Sequence, residues 1–342
     1  MADLVQILSA LQSANNDTRM AAEKALDTLS TPENAPSLLI NLSVLTIPGS
    51  SSDQIRSFAA ILLKRLGLTE IKDSDRLLLS TLSMDQTAAL KNNLTNAIIH
   101  DNQFSRQKIG YAIAELFKYF NSVNVPWDVS DCIKMMTTSQ ESGFRETAFS
   151  IINLAPIILE EIMCHQVEGI GKFLFSGLRD DALDVRVSAL EATAALIVNT
   201  ETNATREGLK SIIPEMMGVL PAILNAGNRE DALTVCLSAL IELAEAFPKL
   251  FRTVLDQAVP FMLDIMKNEN MDESSRQSCL EFLMTIMEQV PSMIKKQQNF
   301  VPTIIPILLN WMEDLEDDQS WYSTEDVSSF VFNSRLMIKI MT

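Results

Sequence analysis

Apolar residues recur along this chain at three- and four-residue spacings, in blocks of about 12 to 18 residues parted by short polar turns. Leu4, Ile7, Leu8 and Leu11 form one stripe, and Ala22, Ala25, Leu26 and Leu29 the next. Between them Asn15-Asn16-Asp17-Thr18 supplies residues that cap helices and make turns. The same order returns downstream: an apolar helix, a polar turn, then an arginine near the start of a second apolar helix. These arginines are Arg19, Arg56, Arg106, Arg145, Arg186, Arg229 and Arg276, at intervals of 37, 50, 39, 41, 43 and 47 residues.

A recurring period near 40 to 47 residues built of helix pairs is the mark of HEAT or armadillo units, and two helices per unit favour HEAT. One pair cannot bury its apolar face alone, so neighbours must stack. The pattern predicts an all-α fold: a right-handed α-solenoid of about seven to eight HEAT repeats, a single curved array over residues 1–312. Seven pairs and an eighth first helix, about Phe300 to Trp311, account for that span. Pro32, Pro36, Pro48, Pro126, Pro156, Pro248 and Pro291 fall at or near expected helix ends, whereas Pro214, Pro221 and Pro306 fall nearer the interiors of first helices, which they are expected to kink or break. Leu68 to Asp85 is the longest insertion.

The pattern fails at the end of the chain. Seven of the 14 residues from Glu313 to Asp326 are acidic and none is basic, so residues 313–326 read as an acidic loop. Residues 327–342 form a divergent apolar and basic tail that reads as disordered or as the product of a mis-spliced gene. With no polar repeat to close the last seam, the chain is expected to be the front part of a longer protein.

With 44 acidic against 27 basic side chains the net charge is −17, which disfavours nucleic acid as a direct partner and suits basic proteins. No apolar run approaches the ~18 residues of a membrane span, and the N-terminus lacks the pattern of a signal peptide, so a soluble intracellular protein is expected, without membrane insertion. Cys132, Cys164, Cys236 and Cys279 lie 32, 72 and 43 residues apart, too far for a zinc knuckle or redox motif, and read as buried thiols. With His100 and His165 the only histidines, and adjacent Cys164 and His165 diverging on a helix, no catalytic constellation or metal site is expected. Gly169-Ile170-Gly171-Lys172 lacks the ending and the preceding strand of a phosphate loop. Binding surface, with no enzyme activity and no cofactor, is what remains. Phe173, Phe175, Met216, Met217, Leu220, Met262 and Ile265 lie on the first helices of pairs five to seven, where apolar motifs could insert between neighbours.

The segments Arg19 to Leu26, Arg56 to Leu66, Phe144 to Ala148, Asp184 to Ala189, Ala246 to Phe251 and Met312 to Trp321, in that order, resemble the N-terminal region of the importin-beta (karyopherin-beta) superfamily, most closely its importin-5 branch. The resemblance implies a nuclear transport receptor that carries protein cargo through the nuclear pore, shuttles between cytoplasm and nucleus and acts as a monomer. It implies Ran-GTP on the first repeats, with Lys64 and Arg65 as contacts, and phenylalanine-glycine (FG) nucleoporins in the grooves of the Phe173 to Ile265 set. Basic cargo of ribosomal or histone type would face the acidic loop, through Glu313, Asp314, Glu316, Asp317, Asp318 and Trp321. A generic HEAT scaffold, such as a phosphatase or ubiquitin-ligase platform, is the alternative.

Overall fold

The computed structural model describes residues 2–72, 74–162, 167–200, 203–227 and 229–313. Among them the chain is helical, with a single isolated bridge, Glu70 to Leu77, in place of any sheet. Seven helix pairs follow in order: α1 (Ala2–Leu11) with α2 (Asn16–Leu29), α3 (Ala35–Leu45) with α4 (Asp53–Gly67), and α5 (Met84–His100) with α6 (Gln103–Ser122). Then come α7 (Ser130–Thr137) with α8 (Ser142–Leu154), a short α9 (Ile157–Ile162), and α10 (Val167–Leu178) with α11 (Leu183–Asn199). After a short α12 (Asn203–Leu209) come α13 (Ile213–Ala226) with α14 (Glu230–Ala246), and α15 (Leu255–Lys267) with α16 (Glu273–Gln289), ending in a single turn, α17 (Pro291–Ile294). These lie in one compact unit, Met1–Lys295; a second, Lys296–Thr342, contributes the expected eighth first helix, α18 (Phe300–Glu313). The fold is the all-α solenoid of HEAT-type pairs that the periodicity predicts.

Each second helix from α6 to α14 packs on its own first helix and on the second helices of both neighbouring pairs. Most of its circumference is therefore buried, which explains why α6 and α11 are rich in alanine: Ala112, Ala114, Ala189, Ala192 and Ala194 are all buried and let the axes approach. Gly177 shows how tight this is. A Cβ there would come within 2.2 Å of the Phe149 ring on α8.

The recurring arginine is the device that sets each turn. Arg56 makes a paired contact with Asp101 of the next pair (Nε to Oδ2 3.2 Å, Nη2 to Oδ1 2.5 Å) and donates from Nη1 to the Ser51 carbonyl of its own turn. Arg145 repeats this with Asp180 (2.6 and 2.7 Å) and with the Ser139 carbonyl (2.8 Å). Arg186 donates to the Asp180 carbonyl, and Arg229 pairs with Asp184. Arg106 departs from the series. It bonds the Asp101 carbonyl at 3.0 Å, but its guanidinium then lies 3.7 Å over the Phe144 ring, and its buried Nε has no partner.

Three expectations change. Pro214 sits in the first turn of α13, where its missing N–H costs nothing. Pro221 and Pro306 do lie inside helices, as does Pro260, yet α13, α18 and α15 run through them. All three prolines are exposed, so water can serve the carbonyl each one frees. The Leu68 to Asp85 insertion is also more than a loop: its 3₁₀ turn, Leu78–Thr81, buries Leu78 and Leu79. Leu79 fills the space beside Gly67, 2.3 Å from where a Cβ would stand.

Candidate functional site: the exposed faces of the helix pairs

The second helices of pairs two and three are locked side by side at their starts. Ser57 Oγ donates to Ser105 Oγ (3.1 Å), Asn102 to the Asp53 carboxylate (2.5 Å) and Ser105 Oγ to the Asp53 carbonyl (3.2 Å). On the outward side of α4, Ile61 and Arg65 are exposed and Lys64 is half-buried. Next to them α6 exposes Phe104 (59%) and Tyr111, with the Lys108 ammonium 5.6 Å from the Tyr111 ring. Lys64 and Arg65 thus belong to a mixed basic and aromatic patch, and reasoning from sequence missed its apolar members. Their signal was there: Phe104, Lys108 and Tyr111 follow an i, i+4, i+7 stripe on the face opposite Ile109, Ile113 and Leu116.

The set on pairs five to seven divides. Met216, Leu220, Met262 and Ile265 are closed in the core, because they lie on the faces of α13 and α15 that pack on α14 and α16. Phe173, Phe175 and Met217 are half-buried and reach the surface. The Phe173 ring centre lies 5.1 Å from that of Phe149, and Phe175 carries the Arg179 guanidinium 5.2 Å from its ring centre. Arg179 also clamps α10 to α13 through a two-point contact with Glu215 (2.5 and 2.8 Å).

Second helices from pair four onward carry acid. Asp184, Asp231, Glu242, Glu245 and Glu281 are exposed. Burial pushes the half-buried Glu191 carboxyl up. Burial does the same to Glu146, with the Asp184 charge adding to it and the Gln107 amide opposing. Glu313, at the end of α18, is exposed; Asp314, Glu316, Asp317, Asp318 and Trp321 lie outside the described residues. Cys132, Cys236 and Cys279 are buried, with thiols pushed up to about 12 by that burial, so they are poor nucleophiles. His100 is exposed, and Cys164 and His165 lie outside the described residues. Among the described residues no group of three or more His, Cys, Asp or Glu side chains could hold a metal, and no helix is long and apolar enough to cross a membrane.

Paired helices, buried thiols and exposed charged faces define an α-solenoid. Residues 101–261 match the family described as IPO5-like, TPR repeats, and residues 268–329 match the importin repeat. The chain is 26% identical over 336 residues to importin subunit beta-3 of Saccharomyces cerevisiae, covering 94% of this chain and 30% of that protein. It is 24% identical over 320 residues to a probable importin-5 homologue of Dictyostelium discoideum, covering 92% and 29%. Among solved structures it is similar to Kap121p (TM-score 0.77, 25% identity, 96% of this chain and 31% of that one) and to Kap121p bound to RanGTP (0.75, 25%, 96% and 30%). It is similar also to Kap121p bound to Nup53p, with a TM-score of 0.73. Both family models and both relatives are importins, and the likeness is to the importin-5 branch. The chain spans about 30% of the length of these relatives.

Proposed function

We propose that the chain serves as the Ran-binding end of a nuclear transport receptor that moves basic protein cargo, of ribosomal or histone type, between cytoplasm and nucleus. Ran-GTP docks on the patch of α4 and α6, where Lys64 and Arg65 give charge and Ile61, Phe104 and Tyr111 give apolar anchors. Nucleoporin phenylalanines enter beside Phe173, Phe175 and Met217 on the first helices of pairs five and six. Met216, Leu220, Met262 and Ile265 support that surface from beneath. The acidic second helices and the acidic stretch from Glu313 attract cargo, and Ran-GTP releases it because the two sites are coupled on one monomeric solenoid. The observation that supports this reading most is the similarity over 96% of the chain to Kap121p crystallised with RanGTP.

Calorimetry of the 342-residue chain against Ran carrying a non-hydrolysable GTP analogue, with Ran-GDP as control, tests it. Binding to the GTP form alone is expected. Lys64→Glu with Arg65→Glu, or Phe104→Ala, should weaken that binding by about tenfold or more, while the exposed Phe104→Ala shifts stability by no more than about 0.5 kcal/mol. Equal binding of the two nucleotide states, or none by a folded chain, would favour the generic scaffold.

A further inference from the structure

The joint between pairs three and four holds a pocket of about 550 Å³, within the size range of small-ligand and peptide side-chain sites. It opens where α6 ends, between the loop to α7 and the short α9. Phe117, Trp127, Ile158 and Ile162 form its apolar lining; Asp128 and Glu161, both exposed, bring two carboxylates to it. Among the described residues no Lys or Arg lines it.

The wall is built ahead of any occupant. Asn124 adopts the left-handed conformation (φ 55°), and Val125 N–H closes on the Phe120 carbonyl at 2.8 Å. Beneath the loop the buried Lys91 ammonium donates to the Val125 and Pro126 carbonyls (3.2 and 2.9 Å) and lies 4.1 Å from the Phe120 ring centre. Trp127 stands edge-on to Phe120 at 5.9 Å, which leaves its ring buried at the base of the loop. The Asp128 carboxylate accepts from Ser130 N–H and Oγ–H (2.9 and 2.6 Å), and these bonds hold its pKa below the usual carboxylate range, so it is charged at neutral pH. A rigid apolar pocket with two acids and no base fits one kind of guest. An alkyl stem would lie along Phe117, Ile158 and Ile162, and a cationic head would reach Asp128 and Glu161.

We infer that this pocket docks an extended segment of a partner protein in which a lysine or arginine is flanked by aliphatic residues. The site is separate from the second-helix faces assigned above to Ran and cargo, and it does not depend on that assignment.

The test is fluorescence anisotropy of the 342-residue chain with a fluorescein-labelled peptide of alternating leucine and lysine, and a second peptide with glutamine for lysine. The lysine peptide should bind and the glutamine peptide should bind at least about tenfold more weakly. Asp128→Asn with Glu161→Gln should weaken the lysine peptide by about tenfold or more, and so should Asn121→Trp, which fills the mouth without removing a charge. Glu23→Gln with Asp27→Asn, two exposed acids on α2 to which no partner is assigned, should leave it unchanged. Circular dichroism melts confirm that each variant is folded. No binding by the parent, equal binding of both peptides, or a loss that follows the α2 variant rather than the pocket variants would overturn the inference.

Discussion

The first three helix pairs and the next four fix the starts of their second helices by different means. In the first group a local cap adds to the cross-pair contacts: Asn15, Ser52 and Asn102 each cap their own helix, accepting from Thr18, Ile55 and Ser105 N–H. In the second group Glu141, Ala182, Arg229 and Asp272 stand at the same position and none makes a side-chain cap bond. There the cross-pair contacts act without a side-chain cap, through Arg145 to Asp180, Arg229 to Asp184 and the Asp272 N–H to Glu230. The two groups also present different surfaces, mixed basic and aromatic on α4 and α6, acidic from Asp184 onward. One fold thus accommodates two ways of holding a turn, and the change between them falls at the joint where Arg106 rests on Phe144.

The largest effect that separates the groups should come from their ion pairs. The Asp101 side chain is fully buried and Arg56 is 8% exposed, so Asp101→Ala leaves a buried guanidinium with only the exposed Asp53 carboxylate as counter-charge and should cost about 3 kcal/mol in urea unfolding. Asp180→Ala, in a pair exposed by 11 and 19%, should cost about half as much. Equal losses would show that the second group is as tightly closed as the first.

A smaller effect belongs to the joint itself. Burial pushes Lys91 down to about 8, whereas in the unfolded chain it titrates near 10.5. Between those values the unfolded chain holds more protons than the folded one, so stability rises with pH through this window. The parent should gain about 1 kcal/mol between pH 7 and pH 9 relative to Lys91→Met, read from urea midpoints. A flat difference would mean that the Phe120 ring and the two carbonyls offset the cost of burying the ammonium.

Caps give the smallest contrast. Ser52→Ala should lose about 1 kcal/mol. Ala182→Ser, adding a cap where α11 has none, should gain about 0.5 kcal/mol in the same assay. If both are silent, the ion pairs set the turns in both groups.

Most of this architecture was legible because stacking repeats force a period on the sequence. The seven pairs and α18 follow from where the apolar stripes and arginines fall. The short α9, α12 and α17 did not show, since a helix of seven residues or fewer carries too little pattern to be told from a loop. Pro221 and Pro306 misled because a proline breaks a helix only where nothing can serve the freed carbonyl, and exposure is not written in one residue. At the surface the limit was orientation. Met216 and Met217 are neighbours in the chain, yet one is closed in the core and the other reaches solvent. The patch on α4 and α6 was half seen, as Lys64 and Arg65, because an aromatic residue reads as core until its helix face is known.

The hydroxyl pair of Ser57 and Ser105, with Asn102 on Asp53, ties α4 and α6 together by polar bonds where they begin, while towards their far ends the contact is apolar, with Leu116 beside Gly67. A stack pinned at one edge can change its thread length at the other without losing phase. From Arg56 onward the arginines recur at anything from 39 to 50 residues, yet α4, α6, α8, α11, α14 and α16 still lie side by side in order. Lengthening a linker adds only loop entropy, about 0.6 kcal/mol for each doubling. Length can therefore drift on that edge at almost no penalty, whereas a single residue inserted between Asp53 and Arg56 would put the whole row out of step.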